Sequence, residues 1–224
     1  MNPPNGVTVL PNGHWVITGD THLSAWSIQK GNIITDPHVF HFLKPYLDGA
    51  KVVFDIGGCI GDHTRRYIDW GFTVVAVEPN PLAFACLTHN CPEAIAINAA
   101  ASDVEGEALR FMRLENAGAS RVHPDGDIVV YSVVLDRENL PAPDFIKIDA
   151  EGFEVRVLRG LRETIRTHKP IVFCEINKGA LAGNGHTPDD IMAFFEQLGY
   201  SNNLIYPSGA RHGDEQYDVL FFPL

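Results

Sequence analysis

From residue 52 onward the chain alternates unbroken apolar runs with helical stretches, and nothing else in its 224 residues constrains the fold as strongly. VVFDIG (52–57), TVVAVEP (73–79), AIAINAAAS (94–102), FIKIDA (145–150) and PIVFCEI (170–176) read as strands buried on both faces. DHTRRYIDW (62–70), PLAFACLTHN (81–90), a stretch through 153–167 and one from Pro188 to Leu198 read as helices. Strands that are apolar on both sides need helices on both faces of the sheet, and short strand, helix, strand repeats imply parallel pairing with right-handed crossovers. The pattern predicts an α/β protein with a doubly wound, mostly parallel sheet.

The remaining segments are expected to decorate that sheet. Residues 7–17 predict a hairpin with a tight turn at Asn12-Gly13. Residues 36–48 predict a helix capped by Asp36, opened by Pro37 and limited by Pro45. Strands at 108–114 and 127–136 predict a β-rich insertion over 104–140, and the runs 203–207 and 217–223 complete the sheet. We expect one domain over 1–224, with 1–48 as an N-terminal hairpin and helix extension and 49–224 as the core; 45% hydrophobic residues suffice for such a core.

Charge and composition exclude other classes. Lys+Arg is 17 against 28 Asp+Glu, a formal charge of −11, which argues against nucleic acid or an anionic membrane as partner. No apolar run reaches the roughly 18 residues of a membrane span, and the N-terminus lacks a basic, apolar leader pattern. A cytoplasmic protein is expected, with Cys59, Cys86, Cys91 and Cys174 as free thiols. His38 and His41 share a helical spacing but have no second ligand pair, so no metal is expected there.

Chemistry concentrates around Asp55-Ile56-Gly57-Gly58-Cys59-Ile60-Gly61. Glycines between a strand and a helix let a ligand approach the backbone, and Glu78, 21 residues after Gly57, stands where an acid meets a ribose diol. A dinucleotide site uses G-x-G-x-x-G to seat a pyrophosphate on a helix N-terminus; here the glycines fall at 57, 58 and 61, behind the carboxylate of Asp55. Asp55 repels an anion and favours a cation, which selects S-adenosylmethionine over NAD. A branched side chain at Gly57 is expected to abolish ligand binding more thoroughly than it lowers stability.

The segment FIKIDAEGFE (145–154), followed by VRVLRG, resembles the signature of the FkbM-type S-adenosylmethionine-dependent methyltransferases, and the resemblance extends over roughly residues 20 to 222. It implies a Rossmann-like methyltransferase fold. It also implies that Asp55, Gly57, Gly58 and Gly61 surround the methionine part of the cofactor, that Glu78 holds the ribose beside Pro79 and Asn80, and that Ala101, Ser102 and Asp103 lie near the adenine. By the same resemblance Asp149 is expected to face the ammonium or the methyl acceptor. The resemblance further implies O-methylation of a hydroxyl on a carbohydrate or small natural product.

An alcohol must lose its proton as the new bond forms, so Asp149, Glu151, Glu175 and His63 are the candidate bases. Asp149, Glu175 and Asn177 could together hold a divalent ion, a reading not favoured here. Lys147 shares the face of Asp149 within an apolar strand and is expected to be ion-paired. The rival functions are an NAD-dependent oxidoreductase and a non-catalytic nucleotide-binding module.

Overall fold

The computed structural model describes residues 2–33, 36–206 and 215–224. Its centre is a seven-stranded sheet built from β3 (Val52–Ile56), β4 (Thr73–Val77), β5 (Ile95–Ile97), β10 (Phe145–Ile148), β11 (Ile171–Asn177), β12 (Tyr200–Ile205) and β13 (Gln216–Pro223), in the order β12-β13-β11-β10-β3-β4-β5. The five strands from β11 to β5 are parallel, while β13 runs antiparallel to β11 and β12 antiparallel to β13. The class read from the alternation holds. Pro207, the end of the expected run 203–207, lies outside the described residues.

Strand order reverses between β3 and β10, so the connections leaving these two strands diverge and open a crevice at their carboxyl ends. β3 is followed by α3 (Asp62–Asp69) and β4 by α4 (Pro81–Asn90), whose Asn80 cap accepts from Leu82 N at 3.1 Å. After β10 the expected single helix is two, α5 (Glu154–Gly160) and α6 (Arg162–His168). Gly160, the last residue of α5, is pressed against its neighbour: a Cβ there would lie 1.9 Å from the carbonyl oxygen of Ser102.

Residues 94–102 also divide. β5 stays in the main sheet, and Asn98 Nδ2 donates to the Glu78 and Pro79 carbonyls, turning the chain into β6 (Ala100–Ala101). β6 pairs with β9 (Ile128–Val133), which joins β7 (Ala108–Met112) and β8 (Arg121–Val122) in a separate four-stranded sheet. Arg156 ties this sheet to α5 through Asp103 and Glu107, each at 2.6 Å.

The N-terminal hairpin pairs β1 (Val7–Val9) with β2 (Trp15–Ile17), but its turn is looser than two residues: Leu10 N donates to His14 O across Pro11–Gly13. Asn90 at the end of α4 anchors it, exchanging bonds with both the N–H and the carbonyl of Trp15. α1 (Leu23–Lys30) and α7 (Lys178–Gly183) have no counterpart in the sequence reading. α2 (Pro37–Leu43) starts at Asp36 and Pro37 as expected and passes at Lys44–Tyr46 into a 3-10 turn containing Pro45. The cysteines are free thiols, and among the described residues no helix is long and apolar enough to cross a membrane.

Candidate active site

A cavity of about 280 Å³ opens at the crevice between β3 and β10. Gly57, Glu78 and Asp149 each immediately follow a strand, and parallel pairing brings all three to the same edge of the sheet. Gly57 (φ +83°) passes so close to β10 that a Cβ would sit 1.8 Å from the Asp149 carbonyl oxygen. Gly58 and Gly61 face inward, against Leu87 and against Cys91 with Leu87, and do not line the cavity.

The turn offers space rather than donors. Gly57 N and Gly58 N both donate to Val77 O (2.9 and 3.1 Å), Cys59 N to Glu78 Oε2 (2.9 Å) and Gly61 N to Gly58 O (2.8 Å). A phosphate site needs such N–H groups free. Glu78 takes a second bond from Asn80 N at 2.7 Å, and burial lifts its pKa to about 7.

Asp55 is a correction to the expected arrangement. It lies beneath the cavity, fully buried, accepting from Thr64 Oγ1 at 2.6 Å and paired with Lys147 Nζ at 3.5 Å. Lys147 reaches onward to Asp149 Oδ2 at 3.3 Å and itself lines the cavity. Burial alone would depress the lysine, but the Asp149 and Asp55 carboxylates hold it well above its usual range, so it is a fixed cation. The expected ion pair is therefore a relay of charge from the core to the site.

Of the other named residues, Pro79, Ala101, Asp149, Glu151 and His63 line the cavity, whereas Asn80, Ser102, Asp103 and Glu175 do not. Asn80 is occupied as a helix cap and Asp103 by Arg156. Asn177 is withdrawn from any ligand set, because its Oδ1 caps α7 through Ala180 N at 3.1 Å. Its place beside Asp149 and Glu175 is taken by Glu151, and one oxygen from each of these three lies within 4.8 Å of the others. His38 and His41 are exposed and belong to no such cluster among the described residues.

The site is rich in carboxyl groups that resist ionisation. Burial, then Asp149 and Glu154, raises Glu151 to about 8; burial raises Asp62 and Glu154 to about 7, and burial with Asp149 does the same for Asp218. His63, packed against Phe40, is pushed well below its usual value by burial and then Lys147, so it is a neutral imidazole. Sequence reading missed Asp62, whose signal was an acid directly after the last turn glycine. It also missed Phe111, Phe153 and Trp26, apolar lining with no local signature.

These shifts set a pH dependence. Between about pH 4 and 8 the folded chain binds protons at Asp62, Glu78, Glu151, Glu154 and Asp218 that the unfolded chain has released, so stability falls as pH rises. His63 acts oppositely but is one group against five. The melting midpoint of the ligand-free protein is expected to be lower at pH 8 than at pH 5, as read by scanning calorimetry; a rise over that interval would contradict the assigned protonation.

This strand order, with its cavity at the reversal and an acid closing β4, defines the S-adenosylmethionine-dependent methyltransferase fold. The FkbM methyltransferase domain model matches residues 55–201, and the chain belongs to that family. It is 26% identical over 163 residues to the hexuronic acid methyltransferase AglP of Haloferax volcanii, covering 69% of this chain and 66% of that protein. In fold it resembles methyltransferase FkbM from Methylobacillus flagellatus (TM-score 0.53, 21% identity, 84% of this chain and 48% of the other). It also resembles a TehB-like S-adenosylmethionine-dependent methyltransferase from Corynebacterium glutamicum (TM-score 0.55, 13% identity, 92% and 98%). The chain thus spans about two thirds of the length of the curated relative and about half that of the FkbM structure.

Proposed function

We propose that the chain binds S-adenosylmethionine in this cavity and methylates a hydroxyl on a carbohydrate or other small molecule. One observation carries the choice of cofactor: the amides of Gly57, Gly58, Cys59 and Gly61 are already bonded internally, a setting that suits a cofactor without phosphate and disfavours NAD. The carbohydrate acceptor rests on AglP, whose name gives hexuronic acid as its substrate.

Gly57 leaves room for the methionine portion, Glu78 accepts from the ribose hydroxyls, and Ala99, Ala101, Phe153 and Val157 supply apolar walls for the adenine. When bound, the cofactor supplies a methyl group on a positively charged sulfur, open to in-line displacement. Asp149, held by Lys147, orients charge at the acceptor side, and Glu151 takes the hydroxyl proton as the acceptor oxygen attacks. A base with a pKa of about 8 is strong enough for that transfer and ionised over part of its population near neutrality.

Calorimetric titration with S-adenosylmethionine and with NAD tests the cofactor, and formation of S-adenosylhomocysteine in the presence of sugar acceptors separates enzyme from binding module. Glu78→Gln keeps the shape but turns one acceptor oxygen into a donor, and is expected to weaken S-adenosylmethionine binding by about 1–3 kcal/mol. An unchanged Kd in a folded variant removes Glu78 from the site. A second reading is favoured by the three carboxylates within 4.8 Å: Asp149, Glu151 and Glu175 holding a divalent cation, with Glu151 then a ligand instead of a base.

A further inference from the structure

Two stretches far apart in sequence form one side of the cavity: His22, Leu23 and Trp26 from the start of α1, and Ala117, Gly118 and Ser120 from the excursion between β7 and β8. The side chain that joins them is Asp20. It is 6% exposed; its Oδ1 accepts from His22 N (3.2 Å) and from Ala117 N (3.0 Å), and its Oδ2 accepts from Ser24 N (2.6 Å). Beside it, Thr21 N donates to Glu115 O at 2.8 Å. No side chain caps α1 from the N-cap position, His22, so Asp20 performs that task from two residues upstream while gripping the other stretch.

We propose that Asp20 is a positioning residue that latches these two stretches into a single wall over the bound cofactor, and so sets how long the cofactor stays. The proposal rests on S-adenosylmethionine occupying this cavity. A buried carboxylate is suited to the task, because each N–H it releases on opening is left without its charged acceptor. The join crosses 97 residues of sequence, so parting it separates the two stretches without unpairing any strand of the main sheet.

Ala117→Pro separates latch from cap. It removes only the N–H that Asp20 holds across the gap, at the first residue of a 3-10 turn where proline is tolerated, after Asn116 in extended conformation (ψ 99°). Release of tritiated S-adenosylmethionine from the full chain is expected to be faster by about tenfold to a hundredfold in both Asp20→Ala and Ala117→Pro. The ligand-free Ala117→Pro protein, which loses one of the three bonds that Asp20→Ala removes, should show the smaller drop in melting midpoint. Wild-type release rates in both folded variants overturn the proposal. An effect confined to Asp20→Ala and matched by a lower melting midpoint does so too, leaving Asp20 a helix cap. Failure of the wild type to bind S-adenosylmethionine removes the cofactor reading itself, a separate result from unchanged release in variants that bind it.

Discussion

Glu151→Gln is expected to lower turnover by about 10²–10⁴ with S-adenosylmethionine binding and folding nearly unchanged, the usual effect of removing a general base. The residue sits on the cavity wall within 4.8 Å of the Asp149 and Glu175 carboxylates, and its φ of +50° is held by the turn between β10 and α5. Wild-type turnover should rise with pH and level off above about 8, where Glu151 is ionised, and the variant should lose that rise. The assay also decides between base and ligand: EDTA leaves the base mechanism untouched, whereas inactivation by EDTA with recovery in magnesium or manganese would assign Glu151 to a cation. Full activity in Glu151→Gln would dismiss both roles.

Gly57→Val is expected to destabilise the fold by about 3–5 kcal/mol, combining a branched side chain at positive φ with a clash no rotamer relieves. The overlapping atom is backbone, the Asp149 carbonyl oxygen, and β3 and β10 cannot separate without losing the centre of the sheet. The sequence reading expects binding to fail before stability; the contact with β10 puts the loss of stability first. Urea unfolding of the variant measures it; wild-type stability would show that the turn can move away from β10.

What the sequence disclosed is what local pattern encodes. The five parallel strands follow from double-sided apolar runs, the start of α4 from Pro81, and the pairing of Lys147 from the rule that a buried lysine needs a partner. Glu78 and Asp149 were legible because each ends a strand and parallel strands end together. Long-range contacts stayed hidden. Asp55 looks like a ligand group until Thr64 and Lys147 are seen to surround it, and Asn177 looks like a metal ligand until α7 begins at it. The need for glycine at 160 depends on Ser102, a neighbour no window of local sequence contains.

The pairing of Asp55 with Lys147 has a consequence for how the chain assembles. β3, β4 and β5 emerge early in synthesis, whereas β10, which covers the other edge of β3, arrives about ninety residues later. Until then β3 is an apolar edge open to any passing strand, the condition under which half-made sheets aggregate. Asp55 stands on that edge, and any strand without a cation at the matching position would bury its charge without an ionic partner. Lys147 lies directly opposite Asp55 in the parallel register, so the native strand is accepted, and a slip by one residue would leave both charges stranded on opposite faces. The same two side chains that lead charge to the cavity thus act as a key that admits β10 to its place.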